Sequence, residues 1–133
     1  DEKEKNIRKV LNLGHTFAHA YEATIGYNKG LNHGEAVLLG IMSAVEFSHQ
    51  KNILKKNDYE QIINHLKKLN YYNLNRYFKS KDISKIIFYM RQDKKNKGNK
   101  INLILLKGIS KPVLSKSFKE NNIKSFLKNL IYR

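Results

Sequence analysis

The sequence predicts a mainly α domain, helical with one small β-hairpin. Three observations point to it: apolar residues recur at helical spacing through most of the chain, a lone apolar run at 101–106 reads as strand, and no repeat or low-complexity linker divides the rest. With 133 residues the chain can bury one modest core, so residues 1–133 are read as one domain.

Residues 3–25 carry Ile7, Val10, Leu11, Gly14, Phe17, Ala18 and Tyr21 at helical spacing, and Gly26 follows as a C-cap glycine. The polar, glycine-containing stretch 27–32 is a loop. A second helix spans about 33–49 and is apolar nearly all round, which marks it as the central, buried one. Asn57 followed by Glu60 matches a capping box opening a third helix to about Leu69, with Tyr59, Ile62, Ile63, Leu66 and Leu69 on its apolar face. Residues 70–79 are aromatic and irregular; Ser80 or Asp82 then caps a fourth helix through Ile83, Ile86, Ile87 and Met90. Residues 93–100 form a polar turn containing Gly98. The run 101–106 is a buried strand, paired across a Gly108 turn with 113–118 behind the single proline. Residues 121–131 close the chain as an amphipathic helix bearing Ile123, Phe126, Leu127 and Leu130.

Composition narrows the function. Without cysteine there is no disulfide framework and no thiolate metal site, so a metal here needs His, Asp, Glu or water. No stretch approaches the roughly 18 apolar residues of a membrane span and no signal-peptide layout opens the chain, so a cytoplasmic location is expected. A pattern beginning within the first ten residues, without an initial Met, leads us to expect a piece of a longer protein. The net charge of +15 could signal a polyanion partner. The lysines, however, are scattered among Asn and Ile rather than gathered with Arg and aromatics. We read that as compositional drift, compatible with a small anionic substrate and no nucleic acid or membrane.

Function concentrates in the first helix. Glu4, Arg8, Asn12, His15, His19 and Glu22 fall on one stripe at spacings of three and four. Gly14 costs roughly 1 kcal/mol against Ala in a helix interior, which suggests a close approach at that point. His33 recurs after the loop, so three histidines lie within nineteen residues and could converge on one point. Catalytic zinc takes three protein ligands from His and carboxylates, but an imidazole serves a phosphate oxygen equally well. Glu35 is either an orienter of a ligating imidazole or a favourable charge in a helix's first turn. His49 and His65 read as packing or surface residues.

The run from Arg8 to Glu22 (RKVLNLGHTFAHAYE) resembles the R-x-x-L-N-x-G-H-[ST]-x-x-H-A-x-E signature of 3-dehydroquinate synthases. His33-Gly-Glu-Ala-Val is similar to that family's HGEAV element, and Met90-Arg-Gln-Asp-Lys-Lys with Gly98 and the following strand resembles its M-x-x-D-K-K turn. The resemblance implies a helical C-terminal metal- and substrate-binding domain, with the NAD-binding N-terminal domain absent from this chain. It implies conversion of 3-deoxy-D-arabino-heptulosonate 7-phosphate to 3-dehydroquinate and phosphate, a carbon–oxygen lyase step of the shikimate route. It implies a homodimer, with zinc or cobalt and NAD as cofactors, the NAD held mainly by the missing domain.

Position by position, the resemblance makes His15 and His33 the metal ligands, with a third, a glutamate, outside this chain. It makes Asn12 and His19 phosphate contacts. Arg8 and Glu4 become substrate-binding residues, the arginine's planar fork suiting a carboxylate. One of Lys94 and Lys95, with Lys95 favoured, reaches the substrate. A related sugar phosphate cyclase, or an inactive basic remnant binding polyanions, are the alternatives; the isolated piece is expected to be inactive.

Overall fold

A computed structural model of the chain describes residues 12–26, 30–69, 73–92, 96, 98–109, 111 and 113–133. In order these form α1 (His15–Ile25), α2 (His33–Gln50), α3 (Lys56–Lys67), α4 (Ile83–Met90), β1 (Lys100–Leu106), β2 (Val113–Lys119) and α5 (Glu120–Ile131). Short 3-10 turns at Leu74–Arg76 and Ser80–Asp82 lead into α4. The fold is the mainly helical domain with one antiparallel hairpin that the periodicity predicts.

Helix α2 is the axis. Its residues from Met42 to Ser48 are buried without a break, as an all-round apolar helix requires. Helix α1 packs on α2 and α4, while β1 and α3 also lean on α2. Aromatic rings fill the centre: Phe47 meets Phe118 and Phe126 edge-on, with centroids 4.8 and 5.0 Å apart, and Phe17 closes on Phe126 at 5.9 Å. Complete burial of one such ring contributes roughly 1.5–3 kcal/mol. Ser48 joins α2 to the hairpin, its hydroxyl donating to the Ala44 carbonyl (2.6 Å) and accepting the Leu106 N–H (3.0 Å).

The hairpin pairs Lys100 with Lys119 through to Leu106 with Val113. Ile101, Leu103 and Leu105 point into the core, whereas Asn102, Ile104 and Leu106 are only partly covered. One face of the strand is thus buried, not both. That alternation turns a polar-capable surface toward α1 and α4.

Two local expectations are corrected. Helix α1 begins at His15: residues 12–14, expected inside a helix over 3–25, form a turn in which the His15 N–H donates to the Asn12 carbonyl at 3.0 Å, and residues 3–11 of that expectation lie outside the described residues. Gly14 is the N-cap with φ +77°, a conformation that L side chains rarely adopt. A side chain there would also overlap the Gly40 carbonyl, while a β-carbon on Gly40 would lie 2.7 Å from that of Ala18. The close approach predicted at Gly14 is therefore real, but it is a backbone crossing of α1 and α2 and not a helix-interior glycine. The second correction concerns capping. Helix α3 is preceded by Lys55 without a side-chain cap, so Asn57 and Glu60 sit inside the helix and form no box. The box forms instead at α2, where Asn32 Oδ1 accepts the Glu35 N–H (2.8 Å) and Glu35 Oε1 accepts the Asn32 N–H (3.0 Å).

Candidate active site

The turn into α1, the exposed side of α1, the end of α4 and the outer face of the hairpin enclose a cleft of about 510 Å³. Asn12, His15 and His19 line it from one wall; Tyr89, Gln92, Asn102 and Ser115 line the other. The Gly14 turn puts His15 on the first turn of α1, and His19 follows one turn later with ring centroids 6.0 Å apart. Both imidazoles are exposed. Phe17, Ala18, Ala20, Tyr21 and Thr24 anchor the opposite side of the helix in the core. Tyr21 is locked there, its hydroxyl 2.6 Å from Ser43 Oγ, and burial raises its pKa strongly despite that bond.

His33 opens α2 immediately after the Asn32 cap, so the capping box sets where this imidazole stands. Its Nδ1 lies 2.9 Å from Glu22 Oε1, with the histidine side chain 79% exposed and the glutamate 20%. A carboxylate accepts, so Nδ1 is the donor, and the neutral imidazole then has its lone pair on Nε2. Glu22, one helical turn beyond His19, is thus the carboxylate that orients His33. Glu35 is not: the Asn32 N–H and then the Tyr77 hydroxyl (2.8 Å) hold it, and these bonds keep its carboxyl below the usual carboxylate range. The signal for Glu22 was present in the polar stripe, but only the packing of α1 against α2 reveals its partner.

Of the sequence-predicted site residues, Asn12, His15 and His19 come together in the cleft and His33 stands at the adjoining helix start on Glu22. Glu4, Arg8, Lys94 and Lys95 lie outside the described residues. Among the described residues no group of three or more His, Asp or Glu is arranged to hold a metal ion. The donor set nonetheless suits a divalent cation: His15 is open, and His33 carries the carboxylate-backed imidazole common at metal centres. His49 is consumed in packing, stacked on Tyr59 at 4.0 Å with Nδ1 3.2 Å from the Leu54 carbonyl; His65 is exposed on α3. Among the described residues no helix is long and apolar enough to cross a membrane.

Comparison with known proteins agrees with this fold. Residues 1–96 match the family model described as 3-dehydroquinate synthase C-terminal. The 3-dehydroquinate synthase of Pelagibacter ubique (strain HTCC1062) is 52% identical over 129 residues, covering 96% of this chain and 35% of that protein. That of Coxiella burnetii (strain Dugway 5J108-111) is 40% identical over 131 residues, covering 97% and 35%. The chain therefore spans about a third of the length of these relatives. The fold is shared with 2-deoxy-scyllo-inosose synthase, solved in complex with carbaglucose-6-phosphate, NAD+ and Co2+, at a TM-score of 0.66 and 24% identity over 89% of this chain and 32% of that one. From its helical architecture, its histidine cleft and the match over residues 1–96, this chain belongs to the 3-dehydroquinate synthase C-terminal family.

Proposed function

We propose that this chain is the metal- and substrate-binding part of an enzyme that converts 3-deoxy-D-arabino-heptulosonate 7-phosphate to 3-dehydroquinate and phosphate, with NAD bound mainly by upstream sequence. The observation that carries the reading is the joint exposure of Asn12, His15 and His19 on one cleft, with His33 oriented by Glu22 at the start of α2. His15 and His33 would hold zinc or cobalt together with a third ligand from upstream. When bound, such a cation supplies Lewis acidity toward a substrate hydroxyl, and the nicotinamide supplies the hydride chemistry.

The chain's own residues would do the rest. The Asn12 amide and the His19 imidazole offer donors to the leaving phosphate, set on a turn and helix whose spacing the core holds rigid. Glu22 keeps His33 in one tautomer, so that its free nitrogen is presented without reorganisation. Arg8 and Glu4 would bind the substrate's carboxylate and hydroxyl groups, and Lys95 or Lys94, ahead of β1 in sequence, would reach it.

The test is phosphate release by the full-length enzyme with NAD and zinc present. His15→Ala should abolish turnover with loss of bound metal. His19→Ala should impair turnover while metal stays bound; metal loss there would overturn this division of roles. A second reading, ring closure of a carboxylate-free sugar phosphate, is favoured by the shared fold with an inosose synthase. Turnover of a hexose phosphate in place of the heptulosonate would establish it.

A further inference from the structure

We propose that Asn102, on the outer face of the hairpin, is a further substrate-binding residue of the cleft, donating its amide to a phosphoryl oxygen from the wall opposite α1. The inference rests on the reaction proposed above and names a contact beyond it.

Asparagine is depleted in strands, yet Asn102 stands mid-hairpin on the face that lines the cleft. Its amide is tied to the facing strand. The Ser115 and Ser117 hydroxyls each lie 3.3 Å from Oδ1, and Nδ2 donates to Ser115 Oγ at 3.0 Å. The strand beneath is fixed as well. The Asn102 N–H donates to Asn96 Oδ1 (2.8 Å), and Asn96 Nδ2 donates to the Met90 carbonyl at the end of α4 (2.8 Å).

An amide nitrogen carries two protons, and Ser115 takes one. With the carbonyl side occupied by serine hydroxyls, the other proton is left for an acceptor in the cleft. The acceptor's chemistry follows from the lining. Among the described residues the cleft wall has no carboxylate and is rich in donors: Asn12, Thr16, His19, Gln92 and Asn102. Such a wall suits an oxygen-rich anion, which takes donors from several directions at once. A phosphoryl group between α1 and the hairpin would use both walls, and a carboxylate, with fewer acceptor oxygens, would use fewer of them.

The test compares Asn102→Asp, Asn102→Ala and Ser117→Ala in the full-length enzyme, using inorganic phosphate as product inhibitor and as a directly titrated ligand. Asn102→Ala should weaken phosphate inhibition about 10-fold, Asn102→Asp should weaken it further, and both should lower kcat/KM with the thermal midpoint unchanged. Ser117→Ala, which only loosens the amide, should give a smaller change in the same direction. Unaltered phosphate inhibition in Asn102→Asp, with or without a change in KM, would overturn the inference. If the unmodified enzyme releases no phosphate from the heptulosonate, the parent reading falls. Titration of inorganic phosphate into the wild type and Asn102→Asp then decides Asn102 alone: equal affinity refutes it, weakened affinity upholds it.

Discussion

The two ends of α2 use the same residue types for opposite purposes. At the N-terminal end, His33 and Glu22 form a pair whose imidazole is almost wholly exposed. At the other end Glu46 is buried at 5% exposure, held by the Arg133 guanidinium at 3.1 and 2.8 Å and by the Tyr59 hydroxyl at 2.7 Å. His49 beside it is stacked and hydrogen-bonded. Both ends carry a carboxylate and a histidine. What separates the proposed site from scaffold is whether their remaining lone pairs and protons are already used. An exposed pair adds little stability but stays available, whereas removing one partner of a buried, fully hydrogen-bonded pair strands a charge and is costly.

Substitutions can break or sharpen this contrast. The largest effect is expected at the middle of α2, where both ends depend on the α1 crossing. Gly40→Ala forces a β-carbon against Ala18 and the Gly14 carbonyl, and should cost about 3 kcal/mol. Thermal unfolding should show a drop of roughly 10 °C or more, with activity lost in proportion to folded protein. Glu22→Gln comes next. It should lower metal affinity or turnover roughly 10- to 100-fold while the unfolding midpoint barely moves; a large fall in stability would show that the N-terminal pair is scaffold after all.

Arg133→Ala tests the other end. It leaves the Glu46 carboxylate buried with Tyr59, and because the arginine is itself half-exposed the expected loss is about 1–2 kcal/mol, read by denaturant titration, with metal content unchanged. The smallest effect is at high pH. Burial and the bond to Glu46 push the Tyr59 hydroxyl up to about 12. A pKa raised in the folded state contributes stability that is full below pH ~10 and lost as pH climbs through 12. Tyr59→Phe should flatten that alkaline limb in pH-dependent unfolding; an unchanged slope would show that Tyr59 does not couple to folding there.

Local patterns made much of this legible. Gly26, with φ +85° and its N–H on the Glu22 carbonyl, ends α1 where a C-cap glycine was expected. Helix α2, the hairpin and α5 fall within a residue or two of their predicted ranges, because apolar periodicity and turn residues are properties of neighbouring positions. The same locality misled at Asn57, where a capping sequence was overridden by a helix that starts two residues earlier.

By itself the sequence determined the fold class, the central role of α2 and the candidate histidines, which are written in spacing along one chain, and its motifs carried the resemblance to the family. Only the tertiary structure decided which partners those residues take. Gly14 became a left-handed cap because Gly40 crosses it, Glu22 rather than Glu35 took His33, and Asn102, on the cleft face of β1, is tied to two serines of the next strand. Hydrogen-bond partners are chosen by distances of about 3 Å between segments far apart in sequence, and no periodicity records those.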